Sequence, residues 1–425
     1  MDDDGIGTAR PSGAPDGRND RGRPRSVLNT LFVLVAVAGI VLSTWSVVTE
    51  SADVRARSES RARIDEACGG LVEPDRVLAL HGGTDRVELS DRHRVSTDER
   101  LSGCTVHRVG DPGTTYGHLV LTLTLHPADP GTDERRVELD GEPFELRRGT
   151  DDITAAADRP VPYPLGDGGL GEYETDRATA RALCPDGGEI SSVEATAAAG
   201  YPDPVTPEDR RTLATLARQA AERAAQQRDC AARLPRVPAE LPEPKTALGP
   251  VAETGGSCAW YGRLVAEQGR GALPDRALAA PVGRASAHDA CLLALGEDET
   301  RRIWPAYEES AEHARSLHST LSTLPLWMKA ETFVGDGSRG LWTDSPLSDR
   351  IDPAAPGKAG GSTWWATSVC DGRPAVHLLQ VAYPYDRIVT GDRIEALLHA
   401  YAGDAAARRG CTGVAYPEAA DFARS

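Results

Sequence analysis

The chain has 425 residues and a formal net charge of −17, and 26% of its residues are charged, so it can form two or three domains with buried cores. An acidic surface repels phosphate backbones, and no basic stripe with interleaved aromatic residues occurs along the sequence. We therefore expect no nucleic acid among its partners.

The N-terminal 48 residues predict a membrane anchor. Residues 1–25 are rich in Asp, Gly, Pro and Arg, which predicts a disordered tail. Residues 26–48 carry no charge and would span roughly 33 Å as a helix, enough for the hydrocarbon core of a bilayer. Arginines precede this segment and acidic residues follow it, so the tail is expected in the cytoplasm and the rest outside the plasma membrane. A cleaved signal peptide is the competing interpretation, but no Ala-x-Ala site follows.

Eight cysteines divide the remaining chain into two copies of one domain. The successive cysteine separations are 36, 80 and 46 residues in the first set of four and 33, 79 and 41 in the second. Similar hexapeptides, PDRVLA at 74–79 and PDRALA at 274–279, follow the first cysteine of each set. We infer a tandem duplication.

Both copies end in an amphipathic helix that runs into the last cysteine of its set. Thr206 and Thr390 are the expected N-caps, with acidic residues in the first turns. Apolar residues at equal distances from the two terminal cysteines trace one helical face in each copy. These residues are Leu213, Leu216, Ala217, Ala220 and Ala224 in the first copy and Ile394, Leu397, Leu398, Tyr401 and Ala405 in the second.

Strands are predicted where apolar and β-branched residues cluster or alternate with polar ones. These segments are 118–126, 135–140, 143–148 and 190–198 in the first copy, and 258–266, 290–295, 362–369 and 375–383 in the second. An Asp-Gly turn predicts that 135–140 and 143–148 pair as a hairpin. A further helix is expected at 306–324. Strands grouped with a closing helix predict the α+β class, with a mostly antiparallel sheet in each copy and helices on one face.

The predicted organisation is a single N-terminal transmembrane helix followed by two tandem α+β domains. A helical juxtamembrane stalk is expected at 49–67, and the domains at 60–235 and 251–425. Five prolines within 234–250 predict an extended, semi-rigid linker at 236–250.

The cysteines are expected to form disulfides. No two of them are closer than 28 residues, so no CxxC zinc or redox pair exists, and an even count outside the membrane favours bridges. Four cysteines allow three connectivities within each copy, and the sequence does not choose rigorously among them. We favour the first cysteine with the second and the third with the fourth, which gives Cys68–Cys104, Cys184–Cys230, Cys258–Cys291 and Cys370–Cys411.

The pattern ACGGLVEPDRVLAL followed by GCTVHR resembles uncharacterised extracytoplasmic envelope proteins of high-GC Gram-positive bacteria. That resemblance implies an α+β domain in which a cysteine before a short helix pairs with one that enters a strand. It implies no reaction, and no functional residue follows from it.

No catalytic or metal-binding motif stands out. The sequence lacks G-x-S-x-G and a phosphate-binding glycine loop, and His313 and His318 are five residues apart where a helical zinc pair needs four. The glycine-rich run at 335–340 lacks the acidic spacing of a calcium loop. We expect no enzymatic activity, metal or cofactor.

Apart from Trp45, every tryptophan lies in the second copy. Trp364 and Trp365 are adjacent and should point to opposite faces of a strand, so one of them could be exposed and stack on a sugar or a partner protein. The alternative is that the tryptophans fill the core of the second copy.

Together these features predict a non-catalytic, membrane-anchored binding or scaffolding protein of the bacterial cell envelope. Its expected partners are the membrane, through 26–48, and cell-wall glycan or an envelope protein. The alternatives are a cell-wall hydrolase and a sensor whose ectodomain is coupled to a membrane partner.

Overall fold

A computed structural model describes most of the chain. The described residues are 23–89, 94–109, 117–129, 137–139, 141–144, 152–185, 188–310, 316–343, 349–360, 362–382 and 385–423. They divide into two units, with the division between Ser58 and Glu59. Residues 1–22 of the predicted tail lie outside the described part.

The first helix, α1, spans Arg23–Ala67. Many of its apolar side chains are exposed: Leu28, Leu31, Phe32, Val33, Leu34, Val35, Val37, Ile40, Val41, Leu42 and Trp45. Among the described residues, none of the helices combines the length and the apolar character that crossing a membrane requires. The side chains of 23–27, 44 and 46–52 are outside that description, so the anchor at 26–48 stays a prediction.

The first copy contains one antiparallel sheet. Its elements are α2 Pro74–Ala79, β1 Val87–Leu89, β2 Leu101–Arg108, β3 Leu119–Pro127, β4 Val137–Glu138, β5 Tyr163–Pro164, β6 Gly171–Tyr173, β7 Arg177–Leu183, β8 Ile190–Ala199 and α3 Pro207–Gln227. Seven strands pair in the order β1-β2-β3-β8-β7-β6-β5. Alternate strand residues are buried against α3, as expected for a sheet covered by a helix.

The second copy contains a larger antiparallel sheet. Its elements are β9 Gly249–Pro250, α4 Ala259–Gln268, β10 Arg276–Ala279, β11 His288–Ala294, α5 Glu297–Ser310, α6 Leu317–Ser322, β12 Trp327–Val334, β13 Leu341–Trp342, β14 Gly357–Ala359, β15 Thr363–Cys370, β16 Arg373–Val381, α7 Gly391–Arg409, β17 Thr412–Ala415 and α8 Ala419–Phe422. The main order is β14-β15-β16-β12-β11-β10-β9, and β17 pairs with β15.

Six strands have the same order in the two sheets. Strands β1-β2-β3 of the first copy match β10-β11-β12 of the second, and β8-β7-β6 match β16-β15-β14, whereas β5 and β9 have no counterpart in the other sheet. The α+β class with antiparallel sheets is confirmed. All ten apolar positions listed above for the two closing helices are buried, and Thr206 caps α3 by accepting from the Asp209 amide. Thr390 begins α7 without a side-chain cap.

Disulfide bonding is confirmed. The bridges are Cys68–Cys104, Cys184–Cys230, Cys258–Cys291 and Cys370–Cys411, the pairs favoured above. In each copy one bridge joins a helix end to a strand, β2 in the first copy and β11 in the second, and the other joins the end of the closing helix to the sheet. Each closes a loop of 33 to 46 residues, which stabilises the fold by very roughly 4 kcal/mol in the chain-entropy model.

Several predicted elements differ in the structure. The strand predicted at 258–266 is wrong, because Trp260, Tyr261 and Leu264 follow a helical period and bury one face of α4. The matching hexapeptides fold differently, since the first forms α2 and the second contributes β10.

Only part of the hairpin predicted from 135–140 and 143–148 lies within the described residues, because 135, 136, 140 and 145–148 are outside them. Among the described residues of this stretch, β4 forms and pairs in parallel with β13 of the second copy. The helix predicted at 306–324 is represented by the end of α5 and by α6, with 311–315 outside the description.

The linker belongs to the folded body. Residues 59–425 form one compact unit, and one cluster of buried apolar side chains includes residues of both sheets. Leu241 of the linker is buried, and the last two linker residues form β9 of the second sheet. The two sheets with matching strand order therefore lie within one compact unit.

Candidate functional site

A cleft of about 550 Å³ opens beside β10. Residues Ala277–Pro281 form its floor, and segments of 242–249 and 253–256 form its walls. The volume lies within the roughly 300–1,000 Å³ of typical ligand pockets. It is therefore our candidate binding site.

The cleft exists because the linker leaves the second sheet early. Strand β9 pairs only with Arg276 and Ala277 of β10. Just upstream, Ala247 forms an antiparallel bridge with Ala156 of the first copy. Among the described strands, none pairs with the last two residues of β10 on the β9 side.

Two tyrosines of the first copy hold the linker wall in place. The Tyr173 hydroxyl donates to the Pro242 carbonyl at 3.0 Å, and the Lys245 amide donates to the Tyr163 hydroxyl oxygen at 3.3 Å. Burial raises the pKa of Tyr173 to about 12, so its hydroxyl stays a donor at neutral pH. The wall is fixed before any ligand binds.

A tight turn fixes the opposite wall. The Ser257 amide donates to the Ala280 carbonyl at 3.0 Å, and the Ala280 amide donates back to Ser257 Oγ at 3.1 Å. Gly256 has φ +57°, and a Cβ there would lie 2.2 Å from the Ala280 oxygen, so only glycine fits. The disulfide Cys258–Cys291 anchors the end of this turn.

The cleft is lined mostly by small residues and proline. Glu243, Lys245 and Glu253 supply charge and are exposed, and the aromatic lining residue, Tyr163, is only 5% exposed. The lining therefore offers backbone groups and three exposed charged side chains, of which Glu243 lies 4.0 Å from the buried Arg210 guanidinium. The sequence did not indicate this cleft, because alanine, glycine and proline form no recognisable binding pattern. The run of prolines in 234–250 was the only predicted feature that includes part of the lining.

The predicted binding aromatics lie elsewhere and are buried. Trp364 is 3% exposed and Trp365 is 6% exposed, so the prediction that one of them faces solvent is wrong. They do point to opposite faces of β15, but both faces are covered. The Trp364 indole donates to the Asp421 carbonyl of α8, and the Trp365 indole donates to the Ala355 carbonyl.

A serine–histidine contact lies inside the second copy. Ser368 Oγ is 2.9 Å from His377 Nε2, and His377 Nδ1 is 2.9 Å from Thr332 Oγ1, which contacts the Tyr401 hydroxyl. All four residues are buried, and burial with the nearby arginines lowers the pKa of His377 to about 4.

The series of hydrogen bonds continues from the Tyr401 hydroxyl to Asp289, which pairs with Arg408 and Arg409 between β11 and α7. This network lies between sheet and helix, where no substrate reaches it, so we assign it to packing.

A second polar cluster joins the two copies. His288 of β11 lies 3.2 Å from Glu172 of β6 and 3.3 Å from Glu331 of β12, and Lys329 also pairs with Glu331 at 2.8 Å. Burial opposes charge on His288, but the two carboxylates outweigh it and raise its pKa to about 10. A charged histidine therefore holds carboxylates of both sheets together.

Metal ligation receives no support among the described residues. No group of three or more His, Cys, Asp or Glu side chains is placed to hold an ion there. His318 lies in α6, whereas His313 is outside the description. In the run at 335–340, the Asp336 carboxylate accepts hydrogen bonds from the Ser191 and Ser192 hydroxyls of the first copy, so it links the two copies.

Comparisons with protein-family models, with curated proteins and with solved structures found no match to this chain. The function is therefore argued from the cleft and from the body that carries it.

Proposed function

We propose that this protein is a non-catalytic, single-pass protein of the bacterial envelope whose residues 59–425 bind a ligand outside the cell. Four disulfides are typical of an oxidising, extracellular-type environment. The uncharged segment 26–48, with arginines before it and acidic residues after it, supports an anchor with a cytoplasmic N-terminus.

The observation that carries the binding function is the cleft beside β10. Its walls are held by the tyrosine contacts on one side and by the Ser257 turn on the other. A preformed site loses little ordering entropy on binding, which favours affinity without rearrangement. Binding at this cleft is the function that the geometry supports best.

A cell-wall hydrolase is the second candidate, because two carboxylates line the cleft. Glycoside hydrolases use such a pair, with one carboxyl kept protonated by a sheltered environment. Glu243 is 79% exposed and Glu253 is exposed, so neither has that shelter. Glu253→Gln should leave ligand binding within a few-fold of the parent; loss of measurable turnover of cell-wall material in that variant would favour the hydrolase.

The test uses the full chain in detergent, with its disulfides intact. Ala247 is exposed and lines the cleft, so Ala247→Trp should fill it and reduce binding to isolated envelope material at least tenfold. Ala407, exposed on α7 and remote in sequence from the lining, provides the matched control Ala407→Trp. Equal binding by both variants would remove the cleft from consideration.

The proposed location has its own test. Protease added to intact cells should digest residues 59–425 after reduction and leave the N-terminal tail protected. Protection of the whole chain would contradict the extracytoplasmic placement.

A further inference from the structure

We infer that the ligand of this cleft is an extended polypeptide segment with a basic side chain, which adds to the open edge of β10 as a strand. The inference rests on the proposed binding function and names its ligand class. Edge strands present backbone groups that recruit a further strand, and several peptide-binding domains use this mode.

The edge itself gives the first argument. Strand β10 continues to Ala279, but β9 ends its pairing at Ala277. The chain that would have paired further along β10 instead bonds to the first copy, where the Leu248 amide donates to the Ala155 carbonyl. The sheet is thus interrupted at the floor of the cleft, with space where one more strand would lie.

Side-chain size gives the second argument. A strand can approach β10 only if the lining does not obstruct it, and Ala247, Ala277 and Ala279 project no more than a methyl group. A Cβ built at Gly249 or Gly255 would meet nothing within 4 Å, so open space continues on both sides. Backbone recognition needs this kind of unobstructed approach.

The missing stacking surface argues against a glycan. Sugar binding would use an exposed aromatic face, but Tyr163 is nearly buried and its hydroxyl is engaged by Lys245. Trp364 and Trp365 are buried away from solvent. Among the ligands expected from the sequence, a protein segment fits the cleft better than cell-wall glycan.

The charges select among polypeptides. Of the cleft carboxylates, Glu243 pairs with the Arg210 guanidinium at 4.0 Å, so the attraction for a basic segment rests on Glu253 and on the net charge of −17 of the whole chain. A segment carrying lysine or arginine is attracted by this field, and an acidic segment is repelled.

The experiment starts from a displayed library of random nine-residue peptides, selected on the full chain and counter-selected on Ala247→Trp. We expect enriched peptides to be extended and basic. Each is then synthesised with alternate amides N-methylated on one edge or on the other. Methylation on the edge that faces β10 should weaken binding roughly tenfold or more, because about two backbone hydrogen bonds are lost, whereas methylation on the other edge should not.

Charge reversal provides the second measurement. Glu253→Lys should weaken binding of the selected basic peptides about two- to fivefold, as expected for exposed charges. Glu267→Lys, the same change at an exposed glutamate of α4 outside the cleft lining, should not weaken it.

The outcomes separate this inference from the proposed function. The strand-addition inference would be overturned if the selection yielded no peptide that prefers the parent protein to Ala247→Trp, or if methylation of either edge had the same effect. If Ala247→Trp still abolishes binding to envelope material in that case, the cleft remains a binding site with another ligand. If Ala247→Trp has no effect on envelope binding either, both proposals fail.

Discussion

The two copies share a strand order but fill the space between sheet and closing helix differently. In the first copy eight alanines lie in this seam: Ala178, Ala180, Ala182, Ala195 and Ala197 on the sheet, and Ala217, Ala220 and Ala224 on α3. The strand residues are matched from the third cysteine and through the strand pairing, and the helix residues from the fourth cysteine. At these positions the second copy has Trp364, Ala366, Ser368, His377, Leu379, Leu398, Tyr401 and Ala405. One topology therefore accepts a thin, apolar seam and a thick, partly polar one.

The difference shows what each copy depends on. Small alanines let a helix approach a sheet closely, and none of these eight positions carries a polar side chain; the buried polar residues of α3, Asp209, Arg210 and Gln219, lie at other positions of the helix. In the second copy every buried polar group must keep its partner, from Ser368 through Tyr401 to Asp289. Because an unpartnered buried polar group is costly, the second copy should be more sensitive to loss of a single side chain.

The largest expected effect is at Asp289, which is buried between Arg408 and Arg409. Asp289→Ala removes the carboxylate that pairs with the buried Arg409 and leaves Arg408 with Asp404 alone, which should cost about 3–5 kcal/mol of the free energy of unfolding. Its counterpart in the first copy is Ser102, two residues before the second cysteine, where Ser102→Ala should cost only about 1 kcal/mol.

Urea unfolding separates these variants. Tryptophan fluorescence reports mainly on the second copy, because the first copy contains no tryptophan, whereas circular dichroism reports on both. Equal losses for Asp289→Ala and Ser102→Ala would show that the polar network adds no special sensitivity.

The disulfides of the closing helices should behave alike despite the different seams. Cys184–Cys230 and Cys370–Cys411 close loops of 46 and 41 residues, so chain entropy gives each about 4 kcal/mol. Replacing either pair with serines should lower the free energy of unfolding by about 2–5 kcal/mol, and the two losses should agree within about 1 kcal/mol. A much larger loss in the second copy would mean that its bridge also maintains the polar network.

Sequence patterns predicted the elements that carry strong local signals. The spacing of apolar residues such as Leu213 and Leu216 predicted the closing helices, because a helix that is buried on one face has apolar residues at helical period. A continuous apolar run predicted β16. Strand β7 was not predicted, since alternating alanine with arginine and threonine has little strand preference until α3 covers one face.

The candidate site could not be predicted from the sequence. The cleft depends on where the linker leaves β10, and that point is set by the bridge between Ala247 and Ala156, 91 residues apart. The same limit explains the tryptophans, because alternation along a strand does not reveal that both faces of β15 are covered. Tertiary pairing decided both features.

The next effect concerns pH and uses two histidines with opposite shifts. His377 has a pKa lowered to about 4, below the roughly 6.5 of an unfolded chain, so it contributes stability above pH 6.5 that is lost as pH falls towards 4. Complete loss amounts to about 3 kcal/mol. His288 has a pKa raised to about 10, so its stability is complete below pH 6.5 and is lost as pH rises towards 10.

Substitution tests these two assignments separately. His377→Gln should flatten the acid limb of the stability profile between pH 6.5 and 4, and His288→Gln should flatten the alkaline limb. Unfolding free energies at fixed pH steps provide the measurement. A profile in which one variant flattens both limbs would show that the two polar clusters titrate together.

The smallest effect probes the alanine seam of the first copy. Ala220 is fully buried between α3 and the sheet, and its counterpart is Tyr401, which needs far more room. Ala220→Leu should cost about 1–3 kcal/mol of unfolding free energy, because a close-packed seam cannot absorb three extra carbons without displacing the helix. Ala231→Leu, at an exposed position just after the last cysteine of the copy, should change it by less than about 0.5 kcal/mol. Equal values for the two variants would mean that α3 can shift outward freely, and the seam would then be shaped by the bridge at Cys230 and not by packing.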